Sequence, residues 1–286
     1  MKTNEETTAI KDIILRALEQ NPQNSEIIKA FEPIIIMQRQ LAAMSSSKML
    51  DCSLIDKEKL KAGVPVSRQI NLFLPEDSLK EIAISLASAV KEGMPQLSEN
   101  IDQISGLIQE GKINPADYFK VSPDGWADLK TSPSNASFLM SLVIRVVLER
   151  RAKEITAALG AFDWEKGYCP ICGEFPSIAL IEEEGGKRFL HCSSCGQDWR
   201  FTRVSCPYCE KEAVQGMDYF YVENKTQESA FVCDKCKKYL VTLYRSGKVF
   251  ARDMDISAIS LIHMDIIMQG KGYEPMTICS WNVLSY

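Results

Sequence analysis

The sequence is poor in histidine and has no long apolar run. Two histidines occur in 286 residues, and no Gly-rich phosphate loop, serine-centred elbow or His-Glu metalloprotease motif is found. The longest apolar runs, such as residues 34–37, are too short to cross a bilayer. Residues 1–6 lack the apolar segment of a secretory signal. We therefore expect a cytoplasmic protein without membrane insertion and without catalytic residues.

The overall composition is that of a globular protein. Hydrophobic residues make up 45% of the chain and charged residues 25%, and the net charge is −5 at pH 7. Between residues 169 and 240, nine Lys or Arg stand against eleven Asp or Glu. A protein that follows a phosphate backbone is normally basic in its binding region. We therefore expect no nucleic-acid partner.

What the sequence does contain is a cluster of cysteines in its C-terminal half. Eight of the ten cysteines form four Cys-x-x-Cys pairs. The pairs are Cys169/Cys172, Cys192/Cys195, Cys206/Cys209 and Cys233/Cys236. Reduced cytosolic thiols at this spacing are typical of metal ligands, because each pair presents two sulfurs on one side of a tight turn. The cluster predicts two metal ions, zinc or iron, each bound by four cysteines.

Four pairs can combine into two sites in three ways. Strands are predicted at 175–181 and 187–191, and again at 217–222 and 229–232, so each longer spacer forms a β-hairpin. A hairpin brings together the pairs at its two ends. This favours one site from the first two pairs and another from the last two, with a cross-braced arrangement as the alternative.

The four Cys-x-x-Cys turns, called knuckles below, differ in the residue after the second cysteine. It is Gly173 and Gly196 in the first two knuckles, and Glu210 and Lys237 in the last two. A residue other than glycine costs roughly 1 kcal/mol in left-handed backbone. We therefore expect the third and fourth knuckles to be less regular than the first two.

Four further residues are of types that bind metals, but each has a simpler interpretation. Cys52 and Cys279 lie outside the cluster and are expected to be small buried residues without a ligand role. His191 is next to a cysteine pair and could compete as a ligand, but eight thiols already satisfy two ions. His263 is expected to be an ordinary surface or packing residue.

Apolar residues recur at the helical spacing through the first 165 residues and again near the C-terminus. The predicted helices are residues 7–19, 25–44, 76–91, 97–109 and 138–159, with a final helix from Asp253 or Asp255 to Gly270. Pro33 is expected to kink or divide the second helix, and Gly93 to cap the third. The helix at 138–159 is predicted to form the interface between the two halves.

Together these elements predict an α+β protein with three parts. We expect a helical domain at residues 1–165 and a first tetra-cysteine module at residues 166–204. A second tetra-cysteine module with the C-terminal helix is expected at residues 205–286.

The run from His191 to Cys209 resembles the signature of the formate dehydrogenase accessory protein FdhE family. The segments 169–173 and 233–236 fit the same order, and a helix followed by Gly272-Tyr273 is similar too. The resemblance implies a helical N-terminal domain followed by two rubredoxin-like or zinc-ribbon modules, with the eight paired cysteines as metal ligands. It also implies a cytoplasmic maturation factor, a kind of chaperone, that binds the catalytic subunit of formate dehydrogenase. No reaction of its own is implied.

Two other functions are compatible with the cysteine pattern. Iron in four thiolates can transfer one electron, so a rubredoxin-like redox protein is the main alternative. A zinc-ribbon nucleic-acid binder is the third reading, and the acidic balance of the cysteine-rich half disfavours it.

Overall fold

The computed structural model describes residues 2–44, 48–117, 132–160, 163–182, 184–211, 217–222, 225–245 and 253–282. Six α-helices lie in the N-terminal half. They are α1 (Lys2–Gln20), α2 (Ser25–Ala43), α3 (Lys57–Lys61), α4 (Leu79–Gly93), α5 (Ser98–Gln109) and α6 (Pro133–Leu159). The apolar faces of α1, α2, α4, α5 and α6 pack into one buried cluster, as their helical periodicity predicts.

Two details of the helical half differ from the sequence-based expectation. Helix α2 continues through Pro33 as one element, so the predicted division does not occur. Helix α4 is capped by Met94, and Gly93 lies inside the helix with another role. A Cβ atom on Gly93 would lie 2.0 Å from the carbonyl oxygen of Ala30. Gly93 therefore lets α4 approach α2 closely.

The C-terminal half contains a sheet of seven strands. They are β1 (Pro176–Glu182), β2 (Arg188–Cys192), β3 (Asp198–Phe201), β4 (Met217–Val222), β5 (Lys225–Cys233), β6 (Lys238–Arg245) and β7 (Glu274–Pro275). The order is β3-β2-β1-β6-β5-β4, with β7 added beside β6. Both predicted hairpins are present, as the antiparallel pairs β1/β2 and β4/β5. Residues 223–224 of the second predicted turn lie outside the described residues.

The sheet is built from the same unit twice. In each unit a knuckle precedes a hairpin, a second knuckle follows it, and a third strand pairs with the hairpin. The units are joined by parallel pairing of β1 with β6, in which Ile178 lies opposite Val241. The two modules therefore share one continuous sheet.

The predicted final helix is two helices. Helix α7 (Met254–Ser260) and helix α8 (Ile262–Gly270) are separated at Leu261, whose ψ of 20° departs from helical geometry. Asp253 caps α7, since its side chain accepts hydrogen bonds from two backbone N–H groups of the first turn. The break lets α7 contact α1 and α2 while α8 lies against β5 and β6.

Helix α6 connects the two halves, as predicted. Its buried residues Leu139 and Val146 belong to the helical cluster, whereas Leu148, Ala152 and Ile155 belong to the cluster that contains the paired cysteines. The α+β class, with a helical region followed by two tetra-cysteine modules, is confirmed.

Candidate metal centres

The first two knuckles bring four cysteine sulfurs together. Cys169 Sγ lies 3.4 Å from Cys195 Sγ, and Cys172 Sγ lies 3.3 Å from Cys192 Sγ. All four sulfurs lie within 4.8 Å of one another. A metal–sulfur bond of about 2.3 Å gives a tetrahedron with an edge of about 3.8 Å. These two sulfur–sulfur distances are thus slightly shorter than the edge that a bound ion would set.

The last two knuckles form a second group with the same composition. Cys206 Sγ lies 3.7 Å from Cys236 Sγ, and Cys209 Sγ lies 3.9 Å from Cys233 Sγ. These distances match the tetrahedral edge closely. All ten cysteines of the chain are free thiols. The grouping is the sequential one, and the cross-braced alternative does not occur.

All four knuckles have the same backbone turn. The residue after the second cysteine has positive φ in each case: 86° at Gly173, 70° at Gly196, 52° at Glu210 and 55° at Lys237. Its N–H donates to the carbonyl of the first cysteine at 2.8–3.2 Å. The expectation of less regular third and fourth knuckles is therefore wrong for the backbone, because Glu210 and Lys237 adopt the left-handed conformation that glycine adopts elsewhere.

Burial and hydrogen bonds both shift the pKa values of the thiols, and at Cys192 and Cys233 they act in opposite directions. Burial raises the pKa of Cys169 well above its usual value. Burial also acts to raise the pKa of Cys192, but hydrogen bonds from Cys169 and Cys172 hold it well below its usual value. In the second group, burial raises the pKa of Cys206, whereas backbone N–H groups lower that of Cys233 against burial. Each group thus contains a thiol with a raised pKa and a thiol with a lowered pKa.

The donor set fits a tetrahedral zinc or iron ion. Both metals accept four thiolates, and a cation would replace the thiol protons that remain. Four protein ligands close the coordination sphere, so a bound ion in either group would have no open position for a substrate. Such a site stabilises a fold or, with iron, transfers an electron.

The other residues of metal-binding type lie outside both groups. Cys279 is buried and Cys52 is half-buried, in agreement with their predicted packing roles. His191 contacts two carboxylates, with Nδ1 2.7 Å from Asp198 Oδ1 and Nε2 3.2 Å from Asp255 Oδ1. His263 packs between Asn24 and Glu228, consistent with an ordinary packing residue.

A buried charge network beside the first group was not anticipated. Arg39 of α2 donates to Asp253 and Asp255, and Arg145 of α6 donates to Asp255. Arg145 also donates to the carbonyl of Cys192 at 3.1 Å. The sequence suggested Asp253 and Asp255 as helix caps, and nothing in their spacing indicates distant arginine partners.

The segment before α4 is a second unanticipated contact of the first group. Val66 N donates to Pro170 O at 2.9 Å and Ser67 N donates to Ile171 O at 2.8 Å. Ser67 Oγ donates to the carbonyl of Cys172. The sequence predicts only a connector at residues 51–75, between the helices 25–44 and 76–91, because backbone pairing between distant loops has no periodic signal.

The fold and the site define a class: a helical domain joined to two tandem tetra-cysteine modules in one sheet. No described helix is long and apolar enough to cross a membrane. Residues 168–203 match the family model described as FdhE, central domain. The predicted resemblance to the FdhE family is thereby confirmed at the first module.

Full-length relatives extend the similarity. A protein FdhE homolog of Aquifex aeolicus (strain VF5) is 25% identical over 262 residues, which cover 89% of this chain and 88% of that protein. A protein FdhE homolog of Enterobacter sp. (strain 638) is 25% identical over 279 residues, which cover 92% and 84%. The crystal structure of the FdhE protein from Pseudomonas aeruginosa has the same fold. It matches with a TM-score of 0.63 and 17% identity, covering 97% of this chain and 95% of that one.

Proposed function

We propose that this chain is a cytoplasmic accessory factor for the maturation of formate dehydrogenase, without a reaction of its own. It docks on the catalytic subunit of that enzyme, as the resemblance to the FdhE family implies. The eight paired cysteines hold two metal ions, and the domain boundaries fall near residues 165 and 204.

One observation carries the non-enzymatic part of the proposal. Both cysteine groups offer four sulfurs to one ion, and four protein ligands complete its coordination sphere. His191, the most reactive residue type near the sites, is held by Asp198 and Asp255. An ion in either group therefore supports a binding surface.

A specific contact favours electron transfer as the second candidate function. Phe175, next to the first group, lies 4.9 Å from the ring of Tyr208 in the third knuckle. A Cβ atom on Gly167 would lie 1.8 Å from the carbonyl oxygen of Pro207, so the two modules touch at these loops. Two iron centres in adjacent modules would be suited to exchange an electron.

Partner binding and metal content can be tested together. Replacing Cys192 and Cys195 with serine should release one metal ion per chain and abolish capture of the formate dehydrogenase catalytic subunit. Metal analysis and a pull-down with the purified subunit measure the two effects. Cys52→Ser, which alters a thiol outside both groups, should change neither. Undiminished capture by the double variant would exclude the metal half from the docking surface.

The second candidate function is tested by the colour of the purified protein. An oxidised ferric tetrathiolate is red, whereas a zinc protein is colourless. A red protein that bleaches reversibly with dithionite would favour electron transfer. A colourless protein with two zinc ions would exclude electron transfer by iron and support the accessory role.

A further inference from the structure

Arg188 is a buried arginine without a carboxylate partner. Its side chain is about as buried as any in the protein, at 1% exposure for the residue. The other buried arginines have acidic partners: Arg145 contacts Asp255, and Arg151 contacts Asp77 and Glu154. Among the described residues, no Asp or Glu oxygen lies within 4.0 Å of Arg188. Burying an unpaired charge is costly, so its presence requires a reason.

The guanidinium group of Arg188 lies between the two metal modules. Arg188 belongs to β2 of the first module, and its Cζ lies 5.1 Å from the ring centre of Phe201 on β3. On the other side it lies 5.3 Å from the ring centre of Phe231 on β5 of the second module. Two aromatic rings from different modules therefore fix its position.

The hydrogen bonds of Arg188 direct its charge to the second cysteine group. Nη2 donates to the carbonyl of Thr202 and, at 2.6 Å, to the carbonyl of Ser205. Ser205 immediately precedes Cys206, the first ligand of that group, and Phe231 lies two residues before Cys233. The positive charge thus lies where both knuckles of the second group begin.

The electrostatics agree with this placement. Burial lowers the pKa of Arg188 to about 10, while Tyr219 and the Cys206 sulfur act in the opposite direction. Four thiolates around a divalent ion have a net charge of about −2. A thiolate group is therefore the negative partner that the carboxylates do not supply.

We propose that Arg188, contributed by the first module, is the fixed counter-charge of the second tetra-cysteine site. The inference rests on the proposed metal role of the cysteines and makes the second site dependent on the first module. Without the hairpin that contains β2, the second group has the same four sulfurs but lacks the buried positive charge.

Within the described part of the chain, the first group has no buried arginine that lacks a carboxylate partner. Arg145 lies against its second knuckle, and a Cβ atom on Gly196 would lie 2.5 Å from Arg145 Nη2. However, Asp255 already neutralises Arg145. The lysines near the second group are less buried than Arg188: Lys235 and Lys237 are exposed and Lys238 is half-buried, and Lys237 and Lys238 pair with Asp234 and Glu274.

The proposal is tested by measuring zinc affinity separately at each cysteine group. Three full-length proteins, the wild type, Arg188→Met and Arg188→Lys, would be equilibrated at zinc concentrations set by a chelator. Alkylation and mass spectrometry would then identify the cysteines that bound zinc protects. Arg188→Met should weaken zinc binding at the second group by on the order of tenfold or more and leave the first group unchanged. Arg188→Lys should retain most of the affinity. The control Arg200→Met removes an exposed positive charge from the adjacent strand β3 and should change neither group.

Each outcome of this experiment supports or overturns the counter-charge role of Arg188. Unchanged affinity of the second group in Arg188→Met, or equal weakening in the Met and Lys variants, overturns the proposal in favour of a packing role. If Arg188→Met does not fold, Arg188→Lys decides alone: retained affinity supports the counter-charge, and lost affinity in a folded chain overturns it. A wild-type chain that binds zinc at neither group would instead contradict the metal role in the proposed function.

Discussion

The two tetra-cysteine groups have the same ligand geometry in different surroundings. Around the first group, the connector binds one knuckle through Val66 and Ser67, and Arg145 of the helical half binds the other. Around the second group, Tyr208 and both residues with positive φ, Glu210 and Lys237, are exposed. Cysteine spacing therefore sets the ligand geometry, while the neighbouring elements set how far each group is enclosed.

The largest expected effect is loss of the sheet half on removal of both metals. The sheet modules have the cysteines themselves in their buried cluster, and binding of structural zinc contributes about 10–16 kcal/mol in small zinc modules. A chelator should therefore abolish amide-exchange protection in β1 to β6. The helical cluster of α1, α2, α4 and α5 should stay protected, because its core is apolar. Continued protection of the sheet without metal would contradict this.

The next effect concerns the network that encloses the first group. Asp255→Ala would leave Arg39, Arg145 and His191 without their shared buried partner, which should cost about 3–5 kcal/mol in the free energy of unfolding. Asp198→Ala is the matched control, since Asp198 contacts His191 from an exposed position and should cost under about 1 kcal/mol. Equal losses in the free energy of unfolding for the two variants, measured by denaturant unfolding, would show that burial of the network around Asp255 does not contribute to stability.

The cost of Asp255→Ala should depend on pH in a defined way. Burial opposes ionisation of Asp255, but Arg145 and Arg39 hold its pKa well below the usual value. The stabilisation that ionised Asp255 gives the folded state is therefore present above its unfolded pKa of about 3.9 and is lost at lower pH. Burial acts to lower the pKa of His191, but Asp198 and Asp255 raise it to about 10. The His191 contribution is complete below about pH 6.5 and is lost towards pH 10, so the cost should be largest between about pH 4 and pH 6.5.

The two cysteine groups should lose their metal ions at different rates. Because two cysteines of the second group, Cys209 and Cys236, are only partly buried, against Cys172 alone in the first, a chelator should remove metal from the second group faster. Pulsed alkylation during chelation measures the order of release by the appearance of reactive cysteines. Simultaneous release would indicate that the shared sheet opens as one unit.

The smallest expected effect lies in the knuckle turns. Lys237→Gly should stabilise the protein by up to about 1 kcal/mol, because it relieves left-handed backbone at the cost of an exposed ion pair with Asp234 and a cation–π contact with Tyr273. Gly173→Ala should have the opposite sign, since φ is 86° there and a Cβ atom would lie 3.3 Å from Pro65. Thermal unfolding of the metal-bound proteins measures both changes.

Features with a local cause could be predicted from the sequence. The Cys-x-x-Cys spacing and the two hairpins determine which sulfurs meet, and apolar periodicity indicates α6 as the connecting helix. Two wrong predictions have different causes. Leu261 ends α7 where the apolar pattern continues, because α7 and α8 pack against different surfaces. Glu210 and Lys237 adopt positive φ because the knuckle hydrogen bonds determine their conformation.

The α+β class and the eight sulfurs follow from the amino-acid sequence, which also favours the sequential pairing of the knuckles, since each depends on spacing within a short stretch. Folding alone establishes that the two modules share a sheet through β1 and β6, and that Arg39, Arg145 and Asp255 meet beside the first group. It likewise establishes that Arg188 lies between the modules. These contacts join residues far apart in the chain, where no periodicity or spacing links the partners, and packing of whole elements brings them together.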